Sequence, residues 1–381
     1  MTDKVNLQER TAGQWWQFEE PFVTVTLESV KRVGIAGYRK AGASAENAAF
    51  LLATNLDKAV QGDHARGVGR LPDLVKAALD GRDNLNPDLK VSNETASFAL
   101  IDGPPNTSGR IASKFAMELA VKKAKQTGIA FCGVRFQAAL LTPVAQVALQ
   151  SDMIGVVFNQ SFPTVAPFGG AGAFLGNQPL AIAVPAGKHD PIIMDMSMTQ
   201  SSAAGMFLAA KQKQQVAPRL LLDEHGEPTT DATEFPSVDS FPGLGPDARG
   251  SLTALGDSHK GYAMVFMLSL LSAVLSDTSP PWELFYRLKK RGRYGSVVIA
   301  INPEVVMPLP AFKAKVDEFI NGVKGAPRRK GVAEILYPGE KSQRLRRERE
   351  QAGVVALPES HVKALDAFAA EIGEKPLERR A

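Results

Sequence analysis

The sequence predicts an α/β protein with a mixed central sheet, and three observations carry that prediction. Apolar residues recur at helical spacing in the first third of the 381-residue chain and again towards its end. The middle is built from short β-rich runs broken by glycine and proline. No Gly-x-Gly-x-x-Gly run joins a strand to a helix early in the chain, so the sheet is not of the ordinary dinucleotide-binding kind.

Residues 1–22 have no clear period, although Trp15 and Trp16 are candidates for docking on the body or on a neighbouring subunit. Leu27 to Ala41 has helical spacing and stops at Gly42. Ser44 is an N-cap for a second helix through Leu51, Leu52 and Leu56. A third helix runs from Leu71 to Gly81, and a fourth starts at Ser108 and stops at Gly128. Strands are expected at Ile129 to Val134, Ile154 to Phe158, Leu180 to Val184 and Ile192 to Met194. Helical patterns return at Gln200 to Gln212 and Tyr262 to Leu275, then a strand at Val297 to Ile301 and a helix at Pro310 to Val323. Glu234 to Gly250 reads as a surface loop. The organisation expected is an extension (1–22), a helical substrate-side region (23–130), a β-rich cofactor-binding core (131–310) and a C-terminal helical region packing back on the body (311–381).

Composition removes several function classes. Hydrophobic residues at 44% and charged residues at 22% are ordinary for a globular chain. The formal charge of +4 is mild, and the run from Arg344 to Arg349 mixes acids with its arginines, so a solvated helix face is preferred to a nucleic-acid surface. The single cysteine, Cys132, lies in a strand-like run and reads as an inert core thiol of a reducing compartment. The longest apolar stretch is too short to span a bilayer and Asp3, Glu9, Glu19 and Glu20 precede it, which gives the expectation of a cytoplasmic protein without a membrane partner.

The glycine-rich run Gly170-Ala-Gly172-Ala-Phe-Leu-Gly176 has the wrong spacing for a dinucleotide fingerprint, and Pro167 and Pro179 flank it. No phosphate-loop or Cys-x-x-Cys motif occurs, and the five histidines are scattered, so no metal site is expected. Lys260 precedes a helix in a glycine-bounded segment, where a cation can meet a phosphate or simply face solvent. Asp195 is either a ligand-binding group or a strand-end residue satisfying backbone amides.

Several segments in order resemble the type-2 malate/L-lactate dehydrogenase family. They are Asp63 to Pro72, Ser151 to Asn159, Val165 to Gly170, Leu175 to Leu180, Met194 to Ser197, Gly226 to Asp231, Gly256 to Tyr262, Ala300 to Pro303 and Tyr337 to Glu340. The resemblance implies a non-Rossmann fold with a largely antiparallel sheet flanked by helices. It implies a homodimer whose cleft, completed by the partner subunit, holds NADH or NADPH. Cofactor contacts are implied at Asn159, Gln160, Asp195, Met196, Ser197, Lys260, Gly339 and Glu340.

Two positions depart from the family pattern. Arg66 stands where the first motif has histidine, and Arg135 stands where a second motif has one. Arginine stays protonated near neutrality and cannot act as a base, so oxidation of an alcohol lacks its usual proton acceptor. Arg66, Arg70 and Arg135 together predict a small polyanionic substrate bound through carboxylates, with His64 as a further substrate-side candidate and His259 as an alternative proton carrier. Three readings follow: a 2-oxo acid reductase, an imine or activated C=C reductase, and a protein whose redox chemistry is lost. His64 otherwise reads as a loop residue with a local hydrogen bond, and His189, His225 and His361 as solvated.

Overall fold

The computed structural model describes residues 18, 20–235, 250–288 and 293–380. In chain order these form β1 (Phe22–Thr26), α1 (Leu27–Lys40), α2 (Ala45–Val60), α3 (Leu71–Leu79), β2 (Lys90–Glu94), β3 (Phe98–Asp102), α4 (Gly109–Thr127), β4 (Ile129–Val134), α5 (Leu141–Leu149), β5 (Ile154–Asn159), β6 (Leu180–Val184) and β7 (Ile192–Met196). They continue with α6 (Ala203–Lys211), β8 (Leu221–Leu222), β9 (Pro228–Thr229), β10 (Ser251–Leu252), α7 (His259–Leu275), β11 (Ser296–Ile301), α8 (Leu309–Lys324), α9 (Glu340–Ala352), β12 (Val354–Pro358) and α10 (Glu359–Ile372). Trp15, Trp16, most of the 234–250 loop and the basic residues 289–291 lie outside the described residues.

The central sheet has the order β2-β3-β4-β11-β5-β6-β7. β3 and β4 run parallel, and the other neighbours run antiparallel. The sheet is therefore mixed, and the expectation of a largely antiparallel sheet is refined by that parallel pair. β2 and β3 come from the segment read as helical. β2 is wholly exposed and polar, which hides it from a search for apolar alternation.

Strand alternation sends side chains to two layers. Ala130, Cys132 and Val134 of β4 and Val298 and Ala300 of β11 pack with α4 and α5 on one face. Phe131, Val297 and Ile299 pack on the other, against Met206 of α6 and Val265 and Leu268 of α7. Cys132 is buried, and burial pushes its thiol up to about 12, which suits a core position. A third core joins the two ends of the chain: β1 pairs antiparallel with β12, and α1, α2, α3 and α10 close around Val33, Leu51, Leu71 and Leu365.

Local chemistry explains the helix boundaries. Thr26, Ser44, Ser202 and Ser258 each accept a backbone N–H in the first turn of the following helix. Gly128 closes α4 at φ +80, a conformation that disfavours a side chain. The charged run of α9 is not simply solvated. Arg346 bonds Asp57 at 2.9 Å, Arg349 donates to the carbonyls of Ala59 and Val60, and Arg347 pairs with Asp190, so α9 is stapled to α2 and to the turn before β7.

Candidate functional site

Strand register brings five of the expected cofactor residues, Asn159, Gln160, Asp195, Met196 and Ser197, to one end of the sheet. Ser296 of β11 lies opposite Val134 on one side and Asn159 on the other, while Leu180 lies opposite both Phe158 and Met196. The ends of β4, β5 and β7 therefore face the same way. The loops beyond them interlock. Met198 donates to the carbonyl of Asn177 and Leu255 to that of Met198, while Gly256 donates to Gln200 Oε1. This chain of bonds carries the end of β7 to Ser258, His259 and Lys260 at the start of α7. Lys260 is exposed and has no ion pair among the described residues; His259 is exposed, its ring edge-on to Phe168 with centroids 6.3 Å apart.

Asp195 is held rather than free. Its Oδ2 accepts from Lys58 Nζ at 2.8 Å and from Thr142 Oγ1 at 2.5 Å. Burial opposes its charge, but Lys58, Arg66 and the Thr142 hydroxyl outweigh it and hold the carboxyl at about 2. Lys58, on α2, is only 4% exposed. Neither Lys58 nor Thr142 was among the residues singled out from sequence. A lysine on the inward face of an amphipathic helix was the available signal for the first.

Arg66 meets this cluster from the side. Its guanidinium binds Asp63 Oδ2 through Nε at 2.7 Å and Nη2 at 2.6 Å; burial disfavours its charge, but Asp63 and Asp195 outweigh that and keep it protonated. Arg70 is exposed at the start of α3 and makes no ion pair among the described residues. Arg135 is elsewhere. It bonds Asp102 at 2.6 Å and pairs with Asp277, while Arg293 bonds the other oxygen of Asp102 at 2.9 Å. Four strand spacings separate the ends of β4 and β7, roughly 19 Å. The three arginines therefore do not form one cluster, and they do not together line a polyanion site.

Several other expected residues are engaged within the chain itself. Gln160 uses its amide on the chain: Oε1 accepts from Gly295 N at 2.9 Å and Thr278 Oγ1 at 3.2 Å, and Nε2 donates to Ser279 O. Glu340 is consumed by Lys324, Arg344 and the N–H of Tyr337. Gly339 packs against β7, where a Cβ would come within 2.7 Å of Ile193 O, and its φ of +86 also requires glycine. Met196 is 39% exposed at the strand end, and Ser197 Oγ accepts from Thr199. His64 makes no local bond through Nδ1, which is buried and without a partner among the described residues. His361 is not solvated: its ring packs on Phe18 and against the backbone of Gly69.

The residues present suit a cofactor bearing polar groups. Asn159 Oδ1 and both polar atoms of Gln178 are buried without partners among the described residues, while Lys260 offers a free cation beyond the same edge. Among the described residues no group of three or more acidic, histidine or cysteine side chains could hold a metal ion, and no helix is long and apolar enough to cross a membrane.

A non-Rossmann α/β core with polar loops gathered at one sheet edge defines the class. The particular family follows from comparison: residues 25–366 match the malate/L-lactate dehydrogenase family, and the chain belongs to it. It is 32% identical to the L-sulfolactate dehydrogenase of Methanocaldococcus jannaschii over 85% of this chain and 90% of that one. The solved structure titled sulfolactate dehydrogenase from that organism superposes with a TM-score of 0.78 at 28% identity, covering 92% of this chain and 98% of the other. The malate dehydrogenase of Pyrococcus abyssi is 29% identical over 94% of this chain and 98% of its own. A Δ1-pyrroline-2-carboxylate/Δ1-piperideine-2-carboxylate reductase of Pseudomonas putida is 28% identical over 90% and 96%.

Proposed function

We propose that this chain is an NAD(P)H-dependent oxidoreductase that reduces a small anionic 2-oxo acid. The observation that carries the reading is the meeting at one sheet edge of Asp195, Asn159 and the start of α7 with Lys260, in a chain of this family. A bound nicotinamide supplies the hydride. Lys260 would meet the cofactor phosphates, and Arg66 and Arg70, on one short segment, would hold the substrate carboxylate. Asp195 cannot serve as a proton donor near neutrality, because its carboxyl titrates at about 2. Arg66 cannot serve either. The proton comes from His259, from Lys58 or from water.

Reduction of a C=N bond is the second reading, favoured by the relative named as a reductase of two cyclic imino carboxylates. A protein without redox turnover is the third. Titration calorimetry with NADH and with NADPH separates it from the other two. Micromolar binding, about −8 kcal/mol, names the cofactor and opens a screen of oxo and imino acids. No heat from either, across a range of temperatures, ends the oxidoreductase reading.

The protein is further proposed to act as a homodimer. On α7, Met264, Phe266, Met267, Leu270 and Val274 stay 43–58% exposed on the side away from the core. An apolar helix face of this length is what a second copy would cover.

A further inference from the structure

A cavity of about 230 Å³ lies at the start of α4, lined by none of the cofactor or substrate residues discussed so far. Leu74 of α3, Arg82, Asp83, the 105–110 segment, Gln137 and Ala139 form its walls. One water takes about 30 Å³, so the space holds more than a single bridging solvent molecule. α4 is 19 residues long, and the N–H groups of its first turn bring the positive end of the helix to this wall. Ser108, the N-cap, accepts none of them through its side chain; its hydroxyl donates to Asp83 Oδ2 at 3.4 Å instead.

Two buried side chains add donors to the same wall. Arg110 is 5% exposed, and its Nη1 is spent in the interior on Asn55 Oδ1 at 3.1 Å and Thr54 Oγ1 at 3.3 Å. Its Nη2 turns to the cavity side, 3.9 Å from Asp83 Oδ2. That is too far for a hydrogen bond, and Nη2 has no such partner among the described residues. Thr107 is 7% exposed, and its Oγ1 is likewise without a partner among the described residues. Buried groups of this kind are ordinarily paired. Arg82, exposed and bonded to Asp80 at 2.9 Å, sets a second guanidinium at the rim. These donors suit an anion, and Asp83 narrows which one. Burial pushes its carboxyl up, against the pull of Arg110 and Ser108. As a carboxylate it repels an anion that has no hydrogen to offer it.

We propose that the cavity at the start of α4 is an accessory site for inorganic phosphate. Arg110 Nη2, Thr107 Oγ1 and the first-turn N–H groups of α4 hold the phosphate oxygens, and Arg82 closes over them from the rim. The remaining P–OH donates to Asp83. Near neutrality phosphate keeps a proton for that bond, sulfate has none, and a phosphate monoester has mostly lost its last one. The carboxylate thus selects among oxyanions of similar shape, by leaving the wrong ones facing an unpaired charge. The site is separate from Lys260, where the cofactor phosphates are placed, so it does not depend on the oxidoreductase reading.

The test is calorimetric titration near neutrality with phosphate, sulfate and methyl phosphate. It is run on the purified protein and on Lys260→Met, which removes phosphate binding at the cofactor end. Phosphate should bind both proteins alike, about tenfold more tightly than sulfate or methyl phosphate. Asp83→Asn should abolish the discrimination against sulfate, and Thr107→Val should weaken phosphate by about tenfold. Equal wild-type affinity for phosphate and sulfate overturns the proposal. So does phosphate binding that is lost in Lys260→Met, that is unchanged in Thr107→Val, or that is absent at millimolar concentration. Should Asp83→Asn or Thr107→Val not fold, the three probes on the wild type and on Lys260→Met decide alone.

Discussion

Lys58 Nζ lies 2.8 Å from Asp195 Oδ2, joining α2 to the end of β7 across an almost sealed space. The lysine side chain is 6% exposed and the aspartate side chain 11%. Removing one member of such a pair strands the other's charge. Lys58→Met should therefore cost about 3 kcal/mol, read as a lower urea midpoint. Lys58→Met with Asp195→Leu should recover most of that loss, because no charge is left unpaired. The same pair sets an acid limb. The folded carboxyl titrates at about 2, below its ordinary 3.8, so its stabilisation is complete above about pH 4 and is lost as pH falls through 2. A wild-type midpoint that stays flat from pH 4.5 to 2.5 while Asp195→Asn behaves identically would contradict this account.

His64 gives the opposite kind of group with the same sign in pH. Burial first, then the charges of Arg349 and His361, push its imidazole down to about 4, against the influence of Asp63. The folded state prefers the neutral ring, so stability is full above pH 6.5 and declines as pH falls towards 4. The span corresponds to about 3 kcal/mol. His64 rests edge-on to Phe22, with centroids 5.2 Å apart, and near Phe18, so phenylalanine is a shape-compatible neutral replacement. Urea midpoints of His64→Phe should change less than those of the wild type between pH 7 and 4.5. Parallel curves would show that another group governs this window, such as His361, which burial also lowers.

Legibility in the sequence followed the type of signal each residue carries. Helices with a polar cap and an apolar stripe were readable: Ser44 opens α2 and Gly128 closes α4 as expected. The sheet was half visible. β4 to β7 and β11 are apolar runs, but β2 is a polar edge and β1 gains its identity only from β12, more than three hundred residues later. Long-range pairing of that kind leaves no local pattern. The site divides in the same way. Motif resemblance pointed to Asp195 and Lys260, whereas Lys58 and Thr142 touch Asp195 only through tertiary packing. Gln160 and Glu340 show the converse, since a residue in a motif can spend all its bonds inside the chain.

Arg135 is the residue for which structure changes the experiment. The resemblance sets Arg135 at the position of a family histidine, so Arg135→His restores the family's residue there. The guanidinium instead bridges Asp102 and Asp277, with Arg293 sharing Asp102, and the chain that reaches Asp195 is that of Thr142 further along. The pairs are partly exposed, so screening limits their worth to about 1 kcal/mol. Arg135→His should lower the thermal midpoint by a few degrees and produce no oxidation of malate or lactate. Appearance of that oxidation, measured as NADH formation, would return Arg135 to the active centre.

The exposed face of α7 makes the last prediction. Val265, Leu268, Ser272 and Ala273 fill the inward side, so the outward residues can be changed without touching the core. Met267 and Leu270 are three residues apart and share one face of the helix. Burying them against a second copy would remove apolar area from water at about 25 cal/mol per Å², whereas a charge placed there would have to be desolvated without a partner. Met267→Glu with Leu270→Glu should convert a dimer into a monomer in sedimentation equilibrium while leaving the circular dichroism spectrum intact. A wild-type protein that sediments as a monomer at micromolar concentration would remove the dimer. A double variant that stays dimeric would move the interface elsewhere. The exposed side of α8, where Phe319 is 70% exposed and Val323 38%, is the next surface to change.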